Sequence, residues 1–393
     1  MTLEESLHVA QRVREAPLVG SRVYEDVIVG RKAAGKDIVQ LGVRPIRKLP
    51  PHVVEAAQQA SANPTYVHSR GLPELRQALA DMVSKETNKP IDWETQVLIT
   101  NGAMQGQWLV MSTLLDFGSE VIIPSPCFFF HPMVRIIGGV PVLVPLPKDS
   151  TGFHFDLDLI EGAITPKTRY IILNTPQNPT GCMVTQEDLE GLAEIAERYD
   201  LIVASDESYE RMIYDDRQHH MFAALPDVDE RSVLVRSFTK TFAMPEWRMG
   251  YLVGPASIIA GCHNVLQLMN LTCNHVSQWA AWAAVTGPQD WLEGVDKEFQ
   301  VNRDSLYEAI PEIPGLSSYL PEGGPFSWID VSELGVTDEQ MCDVLINNHG
   351  IVATAGHYFD APAHIRIPFG AVPEEIDKLK ERLFIAVEEL FKR

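Results

Sequence analysis

The chain has 393 residues, 45% of them apolar and 22% charged, which exceeds one compact core and suits two domains or one large domain with an appendage. Fifty-three acidic against thirty-two basic side chains give a formal charge of -21, which repels nucleic-acid phosphates and anionic lipid surfaces and argues against either partner. No apolar run reaches the roughly 18 residues of a spanning helix, and the start Met1-Thr-Leu-Glu-Glu-Ser-Leu lacks the basic opening and apolar centre of a signal peptide, so the expected address is the cytoplasm.

In chain order, residues 1–45 are expected to be an N-terminal segment packing with a small domain, and residues 46–290 a large α/β domain. Within the large domain, seven short runs rich in Val, Ile and Leu predict buried strands: Val97–Thr100, Glu120–Pro124, Val140–Leu146, Tyr170–Leu173, Leu201–Ala204, Val233–Arg236 and Met249–Val253. Helical patterns fill several of the gaps, one from about Ala103 to Leu115 and another from Glu187 to Arg198 with Thr185 as its cap. Together they predict one mostly parallel sheet between helices. Beyond residue 255 the pattern becomes helical, over roughly 257–270 and 276–310. Residues 291–393 are expected to form a small α+β domain. It has a turn at Gly323-Gly324, a helix opened by the capping box Thr337-Asp-Glu-Gln340, strand-like runs at Gly350–Thr354 and His364–Pro368, and a final helix with Pro373 near its first turn.

The chemistry concentrates where strands end. Lys240 sits in Ser237-Phe-Thr-Lys-Thr directly after a strand, with Arg248 eight positions on. A lysine becomes an imine-forming nucleophile when burial or a neighbouring cation destabilises its ammonium, and the flanking hydroxyls and arginine suit a phosphate. Asp206 closes the run Leu201-Ile-Val-Ala, a carboxylate at the edge where open α/β sheets bind ligands; a helix cap is the alternative. Asn178 lies in the turn Asn174-Thr-Pro-Gln-Asn-Pro-Thr-Gly181, which two prolines and a glycine make rigid. Gly102-Ala103-Met104 joins a strand to a helix, a place where backbone N–H groups grip phosphate. The five cysteines are odd in number, far apart and form no C-x-x-C pair, so neither a disulfide framework nor a metal site is expected.

These segments together resemble the class I/II aminotransferase family of fold-type I pyridoxal 5′-phosphate (PLP) enzymes. The resemblance runs nearly end to end: Tyr66 to Arg76, Asn101-Gly-Ala103, Pro124-Ser-Pro126, Asn178-Pro-Thr-Gly181, Asp206-Glu-Ser-Tyr209, Ser237-Phe-Thr-Lys240, Arg248 and Arg366 follow one another in family order. The resemblance implies a Schiff base between PLP and Lys240, with Asp206 on the pyridine nitrogen and Asn178 and Tyr209 on the phenolic oxygen. It further implies that Phe128 stacks on the ring, and that Ser237, Thr239, Arg248 and the Ala103–Met104 backbone hold the phosphate. Arg366 would clasp the substrate α-carboxylate, and a homodimer would lend Tyr66, with Asn274 a second candidate, to the neighbouring site.

Two stretches depart from that family. Relatives carry Gly-Glu-Pro or similar where this chain has Val43-Arg44-Pro45, so Val43 narrows the substrate side and Arg44 offers a cation there; Pro245-Glu246 stands where relatives have glycine. The implied reaction is amino-group transfer between an amino acid and a 2-oxo acid. The alternatives are a lyase, cyclase or γ-replacement enzyme on the same fold, and a non-catalytic ligand sensor of similar architecture.

Overall fold

The computed structural model describes residues 8–14, 16, 23–42 and 48–392. The seven predicted runs form one sheet: β1 (Val97–Thr100), β2 (Glu120–Ser125), β3 (Val140–Pro145), β4 (Thr168–Asn174), β5 (Ile202–Asp206), β6 (Ser232–Ser237) and β7 (Gly250–Val253). Their order across the sheet is β1-β7-β6-β5-β4-β2-β3, and only β7 runs antiparallel to its neighbours. Both faces are covered. Leu109, Val110, Val134 and Ile259 lie in a core with one set of strand side chains, while Leu189, Leu192 and Phe222 pack with Ile171 and Val203 from the alternate set. Burial on both faces is why these strands read as continuous apolar runs.

This topology places the site. Because β1, β2, β4, β5 and β6 are parallel, their C-terminal ends open on one edge of the sheet, which delivers Gly102, Cys127, Asn178, Asp206 and Lys240 to the same rim. The antiparallel β7 starts at that rim and brings in Arg248, which precedes it.

A second, antiparallel sheet has the order β10-β11-β9-β8, with β8 at Ser317–Ser318, β9 at Phe326–Asp330, β10 at Thr354–Ala355 and β11 at His364–Pro368. The helices Val295–Ala309 and Pro373–Phe391 cover it through Phe299, Leu306, Leu379 and Leu383. From the N-terminal side, Val39 N–H donates to Gly350 O at 2.9 Å, and Gly42 pairs with Gly370.

Three local readings differ from the sequence. The helical run 276–310 is two helices, His275–Thr286 and Val295–Ala309, because Pro288 cannot donate within a helix and disfavours the helical form of Gly287 before it. The strand expected at Gly350–Thr354 shrinks to Thr354–Ala355: Gly350, at φ +67°, ends a helical turn instead. Strand β5 runs two residues further than predicted, so Asp206 belongs to the sheet and does not cap a helix. No helix among the described residues is long and apolar enough to cross a membrane.

Candidate functional site

A cavity of about 400 Å³ opens on the sheet rim and is lined by residues from both sheets, a size ordinary for a small-ligand site. Ala103, Met104, Phe128, Asn178, Asp206, Tyr209, Ser237, Thr239, Lys240, Arg248 and Arg366 all line it. Tyr66 does not; it is fully exposed on the surface of the chain, and Asn274 caps the helix His275–Thr286 by accepting from Ser277 N–H at 3.0 Å. Val43 and Arg44 lie outside the described residues.

Lys240 follows β6 on a single helical turn, Phe238–Thr241, which is capped by Ser237 Oγ accepting from Thr239 N–H at 3.2 Å. Its amine stands 5.4 Å from the Tyr209 ring centre. Burial lowers its pKa to about 8, and Arg248 and Arg366 push the same way against the opposing pull of Asp206. An amine so placed has a much larger neutral fraction near physiological pH than an exposed lysine, as a nucleophile or proton acceptor needs.

Asp206 is 7% exposed and accepts from Ser208 Oγ at 2.7 Å and Ser208 N–H at 3.2 Å. Burial raises its pKa, with Ser208 and Lys240 working against the rise. The next residue points the other way. Glu207 is fully buried and meets Arg236 at 3.0 Å and His219 at 3.1 Å, so its charge is neutralised within the protein. Asp206 has no cation within ion-pair distance among the described residues, and its carboxylate therefore suits a protonated nitrogen supplied by a ligand.

Arg366 is the complementary orphan. Its guanidinium lies 4.1 Å from the Phe326 ring centre and 4.7 Å from that of Phe359. It donates to Asn178 Oδ1 at 2.8 Å and Thr354 Oγ1 at 3.4 Å, while Nε has no partner. No carboxylate of the described residues pairs with it, and burial lowers its pKa to about 10. A buried planar fork with no carboxylate partner among the described residues suits a carboxylate. Asn178 extends the chain by donating to Tyr209 Oη at 3.2 Å, and its own N–H is held by Asn174 Oδ1 at 2.8 Å.

The third feature is a cradle. Gly102 adopts φ +82° before the helix Ala103–Leu114, and a Cβ there would lie 2.7 Å from Arg248 Nη2. A Cβ on Gly250 would come within 2.8 Å of Ala103 N. Two glycines thus let β7 and the Arg248 guanidinium close against a helix start that no side chain caps. The helix-start N–H groups, the helix dipole and the arginine together suit an anion such as a phosphate. With Asp206 in no ion pair among the described residues and Lys240 in the same cavity, the donor set fits PLP.

The sequence missed Phe129, Phe130, Asn174, Ser208 and Phe326, which also line the cavity. Asp206-x-Ser208 is a local acceptor–donor pair that could have been read. Phe326 gives no local signal, since it arrives from β9 of the other sheet.

The family model described as aminotransferase class I and II matches residues 36–383. An aspartate aminotransferase of Pyrococcus abyssi is 33% identical over 361 residues, covering 89% of this chain and 92% of that protein. An aromatic-amino-acid aminotransferase of Thermococcus litoralis is 32% identical over 355 residues, covering 88% and 90%. Among solved structures, an aspartate aminotransferase from Thermus thermophilus with maleate superposes with a TM-score of 0.90 at 30% identity, covering 96% of this chain and 99% of that one.

Proposed function

Since the chain belongs to the class I and II aminotransferase family, we propose that it transfers the amino group of an amino acid to a 2-oxo acid with PLP held on Lys240. The family works with PLP, which when bound supplies an aldehyde to capture the amine and a ring that withdraws electrons from the α-carbon. The observation carrying this reading is the arrangement of an orphan carboxylate, a lysine of lowered pKa and an orphan arginine around one cavity. Arg366 holds the α-carboxylate. Lys240 would hold the cofactor and, as a buried amine of lowered pKa, would move the α-proton. Asp206 would keep a proton on the ring nitrogen, and Asn178 and Tyr209 would hold the phenolic oxygen. Arg248, Ser237, Thr239 and the Ala103 and Met104 N–H groups take the phosphate, and Phe128 takes a ring face.

A panel of amino acids mixed with the holoenzyme tests this, following the cofactor spectrum without an oxo-acid acceptor. Conversion to the pyridoxamine form is expected; return of the starting spectrum with a released fragment would instead mean elimination. Phe128, Phe129, Phe130 and Phe326 on the wall favour an apolar or aromatic substrate side chain over a second carboxylate. Val43 and Arg44 remain proposed substrate-side residues.

Asp206→Asn is expected to keep the fold and bind cofactor while losing turnover by about 10²- to 10³-fold, as removal of one preorganised electrostatic partner does. Because Asp206 raises the pKa of Lys240, the variant should also titrate its lysine lower than wild type. Normal turnover would show that Asp206 only holds Ser208 in place.

We read residues 46–290 as the large unit around the seven-stranded sheet, 291–393 as the small one, and 1–45 as a segment packed on the latter. A homodimer lending Tyr66 is supported by an exposed apolar patch. Leu268, Met269 and Leu271 are exposed at the end of the helix Ala256–Asn270, beside the Tyr66 segment through a Thr272 Oγ1 to His68 O bond of 3.3 Å. Gln105 Nε2 to Asn270 Oδ1, at 3.2 Å, ties that patch to the phosphate-cradle helix. Mixing inactive Lys240→Ala with inactive Tyr66→Phe should restore part of the activity, since one site of each hybrid keeps both residues. No recovery after confirmed subunit exchange would remove the shared site. Five buried, unpaired cysteines suit a reducing cytoplasmic setting.

A further inference from the structure

We propose that Cys127, His131 and Asp360 bind one divalent cation of the zinc class, with a solvent molecule as fourth ligand. The three stand outside the groups assigned to amino transfer, and the inference does not depend on that reading. Cys127 and His131 flank the start of the helix Phe130–Ile137, four positions apart, and are 2% and 5% exposed. Asp360 comes from the turn after Gly356–Phe359, where it holds φ +61°.

The donor atoms form a compact triangle. His131 Nδ1 lies 3.0 Å from Asp360 Oδ2, and Cys127 Sγ lies 3.9 Å from the imidazole nitrogen and 4.0 Å from the same carboxylate oxygen. Zinc with bonds of about 2.3 Å to sulfur and about 2.0–2.2 Å to nitrogen and oxygen keeps tetrahedral donors about 3.3–3.6 Å apart. The observed edges straddle that range, so shifts of roughly half an ångström per edge seat the ion. Sulfur, imidazole and one carboxylate are a borderline-soft set, which selects zinc over magnesium or calcium. The Asp360 side chain is 29% exposed, giving the ion a path from solvent and room for a water on the open side.

Position gives the site a consequence. Residues 128–130 line the cavity, and Phe359 packs on the Arg366 guanidinium. The two segments already touch, through Cys127 N–H to Phe359 O at 3.1 Å and through the Phe129 and Phe359 rings at 5.6 Å. A cation across Cys127, His131 and Asp360 would fasten these two walls together beside the substrate carboxylate receptor. Burial and the nearby Asp360 carboxylate favour the neutral thiol, so binding displaces its proton to solvent.

Holoenzyme freed of metal with a chelator is titrated with Zn²⁺ by equilibrium dialysis and elemental analysis, and with Co²⁺ by its visible ligand-field absorption, which PLP does not mask. The expected result is one ion per chain and the intense visible spectrum of tetrahedral cobalt, removed by added zinc. Asp360→Asn and Cys127→Ser should each weaken zinc binding at least about tenfold, with circular dichroism and melting checked without metal. If Cys127→Ser fails to fold, the partly exposed Asp360→Asn decides alone. Substoichiometric binding, an octahedral cobalt spectrum, or unchanged zinc affinity in folded Asp360→Asn would each overturn the proposal.

Discussion

Lys240→Ala is expected to lower turnover by at least about 10⁴-fold while the protein stays folded. A positioned proton-transfer group alone contributes about 10²- to 10⁴-fold, and this amine is also the proposed covalent anchor of the cofactor. Among the described residues no other lysine lines the cavity, so no second amine there can take its place. Borohydride reduction of wild-type enzyme followed by peptide mapping should find the pyridoxyl group on Lys240; recovery on another lysine would sink the assignment. The pH dependence has a definite sign. Nucleophilic capture of the aldehyde needs the neutral amine, and a pKa lowered from 10.5 to about 8 leaves about one-tenth of it neutral at pH 7. Capture by the apoenzyme should therefore rise about tenfold per pH unit below 8 and level off above it. A rise continuing to pH 10 would mean that the amine is not held in the environment described.

The parts legible in the sequence were those whose signal is local. Strand cores such as Val97–Ile99 and Val233–Val235 announce themselves because burial on both faces favours a continuous apolar run. Lys240, Asp206 and Asn178 were found because each closes or follows such a strand, and parallel strands must open their ends on one rim. What stayed hidden depends on distant chain. That Asp206 lacks a cation among the described residues while Glu207 meets Arg236 and the His219 ring is decided by two residues that no local pattern assigns. The steric need for Gly250 follows from its approach to Ala103, nearly 150 residues earlier in sequence. The approach of Asp360 to Cys127 and His131 has no local signal for the same reason, since its turn belongs to the part of the chain that builds the second sheet.

Arg366→Leu should separate function from stability. Losing a two-pronged, charge-assisted clasp and leaving the substrate carboxylate unpaired costs about 2–5 kcal/mol, or about 30- to 4,000-fold in kcat/KM. The loss should be nearly uniform across acidic, neutral and aromatic amino acids, because every one carries the α-carboxylate. Stability should move the other way or not at all. Without substrate the guanidinium is buried against Phe326 and Phe359 with an unpartnered Nε and no carboxylate among the described residues, so two neutral acceptors and the two ring faces offset the desolvation of its charge only in part. Leucine between the same two rings removes that cost, although Asn178 Oδ1 loses its donor. Arg366→Lys keeps the charge but not the planar fork, and is expected to recover only part of the activity. Kinetics over the substrate panel, with thermal melts of all three proteins, read both quantities. A large fall in melting temperature for Arg366→Leu with activity lost in proportion would make Arg366 a structural residue, and a loss confined to dicarboxylic substrates would move it from the α-carboxylate to the side-chain end of the site.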